Sequence, residues 1–192
     1  MDKILNSLIG YLEFEKKHFK RNFLINEDLI RDDSQLEEDI MNCRKCGLHL
    51  SAKNKVIGSG NANADIMLVG EAPGEEEDKK GVPFVGKAGE KLEEMLKFIS
   101  LTRDDVFICN VLKCRPPHNA DPSSEQEKNC IGYLKRQISM VKPKIILTLG
   151  RHASSAVTGN ESKNMYDYLN KEFIIGNNVR VLATYHQAAI LY

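Results

Sequence analysis

Residues 66–74 read IMLVGEAPG: an apolar run, then a glycine, a carboxylate and a Pro-Gly turn. A short run of this kind, closed by Gly and Pro, marks a buried strand that ends in a tight loop. Three more segments repeat the pattern, Val106–Cys109, Ile145–Leu149 and Val179–Thr184. Helical spacing fills the gaps between the first three. Ala88, Leu92, Met95 and Ile99 mark one helix, and Cys130, Leu134, Ile138 and Val141 another. Strand–helix alternation predicts an α/β fold, a three-layer α/β/α sandwich around a four-stranded, mostly parallel sheet. A shorter helix is expected after Gly150. Phe173–Ile175 with Gly176-Asn177-Asn178 is expected to form a hairpin into the last strand.

Upstream, Ile4, Leu5, Leu8, Ile9 and Leu12 recur at helical spacing, so residues 1–33 are expected to be a helical extension ending in a polar connector. Residues 34–192 then form the main domain, opening with a helix that starts at Ser34, with Glu37 completing a capping box. The hydrophobic fraction of 42% and charged fraction of 28% fit a globular chain. No apolar run reaches the ~18 residues a membrane helix needs, and the N-terminus lacks a signal-peptide core. The expected location is the cytoplasm. Formal net charge is zero, which neither supports nor excludes DNA, because phosphate binding needs only a local basic face.

Ligands of open parallel sheets bind outside the carboxyl ends of the strands. Those positions hold Gly70–Gly74, Asn110, Gly150–His152 and Tyr185–Gln187. A carboxylate, a carboxamide and an imidazole therefore share one rim.

Five cysteines, an odd number, argue against a disulfide framework. Cys43 and Cys46 form a C-x2-C pair, whose spacing lets two thiolates grip one metal centre; Cys114 and Cys130 complete a set of four. Four thiolates suit zinc or an iron–sulfur cluster, and ligand type alone does not separate them. Cys109, inside the second strand, reads as an inert core thiol.

Taken together, CRKCGLHL (43–50), GEAPGEEEDKKGVPFVGKAG (70–89), NVLKCRPPHNADPSSEQEKNC (110–130) and, more loosely, TYHQAAIL (184–191) resemble the iron–sulfur, family 4 uracil-DNA glycosylases. The resemblance implies a DNA-repair enzyme, acting on single- or double-stranded DNA as a monomer, that flips uracil into a pocket and leaves an abasic site. It also implies a structural [4Fe–4S] cluster on Cys43, Cys46, Cys114 and Cys130.

Residue by residue, it implies that Asn110 reads the uracil edge, Phe84 stacks on the base, and Glu77 closes the space beside C5 against thymine's methyl group. His186 would donate to O2 as charge gathers there. Glu71 would orient the attacking water or position the base through its backbone, while Gly70, Ala72 and Gly74 allow close backbone approach. Gly150 and Arg151 would hold a DNA phosphate, and Ile190 would fill the vacated stack.

Two features depart from the family pattern. Gln187 stands where the family has proline, which is expected to loosen the loop holding His186. The chain ends at Tyr192, where the family continues through a basic stretch and a closing helix, so a shortened form or a weaker DNA grip is expected. The competing reading is a catalytically weak, DNA-binding descendant of the same fold. A phosphate-loop protein is disfavoured, because GEAPG lacks the Lys-Ser/Thr that grips a phosphate.

Overall fold

The structure, a computed structural model, describes residues 35–176 and 178–190. The expected helix in the first 33 residues lies outside them, as do Ser34 and Asn177. The first described helix, α1 (Leu36–Met41), is bounded by Gln35, whose side chain pairs with Glu38 instead of capping the helix. A 3₁₀ turn, Gly47–Leu50, follows the C-x2-C pair.

The elements that follow are β1 (Ser59–Gly60), β2 (Ile66–Gly70), α2 (Glu75–Lys80), α3 (Lys87–Phe98), β3 (Val106–Asn110) and α4 (Ser124–Val141). After them come β4 (Ile145–Leu149), α5 (Arg151–Thr158), β5 (Phe173–Ile175) and β6 (Val179–Thr184), and a last 3₁₀ turn, Gln187–Ile190. Ser123 caps α4 through a reciprocal capping box with Gln126.

The sheet has six strands in the order β1-β3-β2-β4-β6-β5, not four. The four expected strands are its parallel core. Two short antiparallel strands flank them, β1 on β3 and β5 on β6. The β5–β6 pair is the hairpin expected from sequence. β1 is two residues, Ser-Gly, and carries neither alternation nor β-branching that sequence reading can detect.

β3 and β4 are buried along their whole length, as strands covered on both faces must be. Met67, Val69, Phe107, Cys109, Ile146 and Val181 pack with Leu134 and Val141 of α4 and Ala153 of α5. Cys109 is thus the core thiol expected, and burial pushes its pKa up. α1 lies on α4 through Leu36, Ile40 and Tyr133. Among the described residues no helix is long and apolar enough to cross a membrane.

The chain leaves β2 for β3 on one side and returns for β4 on the other, so the direction of winding switches at β2. Gly70 is paired in register with Asn110 there, and both lie at the carboxyl ends of their strands.

Candidate functional site

Asn110 is 2% exposed, and its Oδ1 is buried with no hydrogen-bond partner. Buried carboxamide oxygens are nearly always paired, and leaving one unpaired costs about 1–3 kcal/mol. The oxygen lies against the bare face of Gly70. A Cβ there would collide with it and would fall 2.6 Å from Cζ of Phe84. Gly70, Asn110 and Phe84 thus meet at one point, and only glycine at 70 leaves it open.

Phe84 stands at φ 53°, a left-handed conformation rare for a bulky residue. Strain of this kind persists where its surroundings over-determine it. Arg103 donates to the carbonyls of Phe84 (2.8 Å) and Pro83 (2.6 Å). Glu77 Oε1 accepts from the amides of Val85 and Gly86, each at 2.8 Å. On the remaining side α3 packs against the Phe84 backbone so closely that a Cβ at Gly89 would strike the Phe84 carbonyl. One oxygen of Glu77 is therefore committed to the loop that carries Phe84. Gly74 makes room for the other, since a Cβ at 74 would lie 2.6 Å from Glu77 Oε2.

His186 faces Phe84, with ring centroids 5.8 Å apart and a 30° tilt. Burial pushes its pKa below the usual imidazole value, partly offset by the Glu77 carboxylate. The ring is therefore neutral near pH 7. The amide of Ala188 donates to Nδ1 at 3.1 Å, which makes that nitrogen the acceptor and leaves the proton on Nε2.

The loop is also closed by Ala189 N–H on the His186 carbonyl at 2.9 Å. Gln187 is fully buried, with Nε2 on Met95 Sδ at 3.5 Å and Oε1 unpartnered. The expected loosening is not observed: Gln187 anchors the loop against α3, at the cost of an unsatisfied carbonyl. Gly150, at φ 94°, passes so near that a Cβ would sit 3.2 Å from Cβ of His186.

Glu71 belongs to a neighbouring polar cluster. Its carboxylate, that of Asp121 and a ring nitrogen of His152 lie within 4.8 Å of one another. His152 Nε2 is 2.6 Å from Arg151 Nη2, and Nδ1 is 2.8 Å from Glu127 Oε1. A guanidinium only donates, so Nδ1–H of His152 points at Glu127. The same guanidinium occupies the imidazole lone pair that a metal ion would need. Burial pushes the Glu71 carboxyl above its usual range; His152 and Arg151 pull it back, while Asp121 and Glu127 push it up again. One arm of Arg151 is thereby committed to His152, away from the phosphate role expected of it. His152 was placed on the rim from sequence, and Asp121 and Glu127 lie within the 110–130 stretch, but none of the three was given a role there.

Ala72 packs away from this rim, beside Leu48, Leu112 and Cys114. Ile190 closes the last 3₁₀ turn.

Cys43, Cys46, Cys114 and Cys130 line one pocket, together with Ile40, Leu48 and Tyr133. Burial, then Cys130, pushes the Cys114 thiol up to about 12. Burial also raises Cys130, with Cys43 and Cys46 adding to the effect. Four thiols around one pocket are the donor set that a four-thiolate metal centre would use.

The uracil DNA glycosylase superfamily model matches residues 57–192. The chain is 45% identical over 177 residues to a type-4 uracil-DNA glycosylase of Archaeoglobus fulgidus, covering 86% of this chain and 83% of that one. This chain belongs to the uracil DNA glycosylase superfamily, and within it to the type-4 uracil-DNA glycosylases.

Type-4 uracil-DNA glycosylases of Sulfurisphaera tokodaii and Thermotoga maritima are 44% and 39% identical, with coverage of 82% and 81% of this chain and 75% and 81% of theirs. Against the glycosylase family, the rim formed by Gly70, Phe84, Asn110, Gly150 and His186 is one site, with Glu77 supporting its wall. Lys113 and Gln137, both buried, stand behind Asn110; Lys113 lies within the matching 110–130 stretch but was given no role from sequence.

Proposed function

We propose that this chain removes uracil from DNA by hydrolysing the bond between the base and C1′ of the sugar, with the nucleotide flipped into the pocket at the strand ends. The observation that carries the proposal is the orphaned Oδ1 of Asn110 beside the bare face of Gly70.

Uracil supplies the missing partner. Its N3–H donates to Oδ1, and its O4 accepts from the Asn110 amide. Cytosine reverses both groups, leaving buried polar atoms unpaired, which is the strong form of discrimination. Phe84 stacks on the ring. Glu77 fixes the Phe84 loop and with it the space beside C5, where thymine carries its methyl group.

As the C1′–N1 bond breaks, its electron pair passes to the base and negative charge gathers on O2. The Nε2–H of neutral His186 donates there, a preorganised donor at the developing charge. Water oxygen bonds to C1′ as one of its protons passes to Glu71, and the uracil anion takes up a proton from solvent as it leaves. The products are uracil and an abasic sugar with a hydroxyl at C1′. Gly150 and Arg151 would hold a DNA phosphate and Ile190 would fill the vacated stack; these roles rest on the family resemblance alone.

Cys43, Cys46, Cys114 and Cys130 would hold a [4Fe–4S] cluster, which ties together the cysteine-pair loop, the segment after β3 and α4. The proposal extends to a monomeric cytoplasmic enzyme with residues 1–33 as a helical extension on a 34–192 catalytic domain. The two sheet edges, of only two and three residues, offer little for edge-to-edge pairing. A weak, binding-only descendant is not favoured, because the His186 loop is fastened at three points.

The test is a labelled oligonucleotide with one uracil, incubated with protein beside a matched thymine control and then treated with alkali. Cleavage at uracil alone is the expected result. No cleavage by metal-loaded protein would overturn the proposal in favour of DNA binding without catalysis.

A further inference from the structure

Lys113 is a buried side chain that the reaction just described does not use. It is 2% exposed, and its Nζ donates to the Asn110 carbonyl at 2.5 Å and to Gln137 Oε1 at 2.6 Å. Gln137 is itself fixed, its Nε2 donating to the Ile57 carbonyl at 2.7 Å. Both acceptors are neutral, and burial pushes the Lys113 pKa down, so these two bonds are what orient Nζ.

Lys113 also lines the cleft that holds all four thiols, and its backbone amide hydrogen-bonds Cys130. Its carbonyl accepts from Val56, in the segment that leads away from the C-x2-C pair. One residue thus touches the metal centre with its main chain and Asn110 with its side chain.

The Asn110 carbonyl is where β3 stops, and its own carboxamide is the group that reads the base. Capping that carbonyl fixes the backbone from which the carboxamide projects. We propose that Lys113 is a positioning residue that couples the four-cysteine centre to base recognition: its main chain is fixed beside the cysteines, and its Nζ holds the Asn110 carbonyl. The inference rests on the reading of the pocket as a uracil site and of the cysteines as a metal centre.

The experiment compares the metal-loaded wild type with Lys113→Met, a neutral side chain of similar length, and with Gln137→Met, which removes one of the two acceptors. Two readouts are needed, neither of them excision. The first is the ratio of affinities for two short single-stranded oligonucleotides, one carrying a non-hydrolysable deoxyuridine analogue and one carrying thymidine. The second is the rate at which a chelator removes metal from the folded protein. A change in general stability or DNA grip moves both affinities together, whereas a shift of Asn110 moves their ratio.

The expected result for Lys113→Met is a ratio at least about tenfold lower, with faster metal release. Gln137→Met shifts the ratio in the same direction by about threefold, and it decides the matter if Lys113→Met does not fold. An unchanged ratio in the folded variants would overturn the proposal. A lowered ratio with wild-type metal release would overturn the coupling and leave Lys113 a local fastener of Asn110. If the wild type itself shows no preference for the uracil analogue, the pocket reading fails and this inference falls with it.

Discussion

The amide of Ala188 donates to Nδ1 of His186 at 3.1 Å, and that single bond fixes the tautomer of the ring. With Nδ1 occupied as an acceptor, the only proton the neutral ring can offer is on Nε2. Protonation would break the Ala188 contact, place a second donor against it and put a cation in a buried site.

Excision is therefore expected to fall on the acid side. Burial lowers the His186 pKa, so protonation begins only below the ordinary value of about 6.5. The Glu71 carboxyl moves the opposite way, its pKa raised mainly by burial. Both groups lose their working form as pH falls. The His186 limb lies below about 6.5, and the Glu71 limb lies above about 4.5. Stability follows the same sign for His186: the unfolded state takes up the proton first, so stability is present above about 6.5 and drains away as pH falls through the folded value. Single-turnover rates and thermal midpoints from pH 4 to 8 check both. Replacing Asp121 with Asn removes a carboxylate that raises the Glu71 pKa, so the Glu71 limb should move to lower pH; an unmoved limb would separate Glu71 from the reaction.

Asn110→Ala should leave Phe84 and His186 in place yet lower the excision rate by about a hundredfold or more. Removing an unpaired buried oxygen should at the same time leave thermal stability level or raised. A variant that excised uracil at the wild-type rate would contradict the pocket assignment.

Gly70→Ala tests the notch itself. The added Cβ would lie 2.6 Å from Phe84 Cζ and would displace Asn110 Oδ1. Overpacking of this kind costs about 1–3 kcal/mol. The rate should fall by about a hundredfold through misplacement of the base. Rate and midpoint measured on the same preparation separate the two effects.

Gln187→Met replaces an amide with one orphaned oxygen by a side chain of similar length beside Met95. A gain of about 1 kcal/mol is expected. For a chain of this size that is about 2–4 °C in the melting midpoint. A drop in midpoint would mean that Gln187 has a partner the present contacts do not reveal.

Cys114→Ala should abolish metal binding, with loss of visible absorbance and a lower midpoint. Protein that is colourless as purified and carries zinc would overturn the iron–sulfur assignment while leaving the four-cysteine centre intact.

The parallel core was legible because each of its strands is an apolar run stopped by Gly, Asn or a polar turn. Gly70 and Asn110 each proved to be the last residue of a strand. β1 was not legible, since two residues carry no period. The pocket residues with a motif around them, Asn110, Phe84, Glu77 and His186, were named from sequence. Their relations were not. Nothing in a run of four acidic residues says that Glu77 will accept the amides eight and nine residues on, while Asp78 turns inward to accept those of Lys53 and Asn54. Gln187 was misjudged because proline's absence suggests a loose loop, whereas burial against Met95 holds it. Lys113 and His152 depend on partners 24 and 25 residues away, a separation no local pattern encodes.

The unpartnered oxygen of Asn110 sets function and robustness against each other. A protein optimised for heat alone would discard it, because leucine or methionine at 110 would fill the same volume without a buried acceptor left empty. Variants recovered by selection for thermostability should therefore accumulate changes at 110 and arrive hardier and inert, and the hardiness of a relative is no guide to whether its pocket still recognises a base.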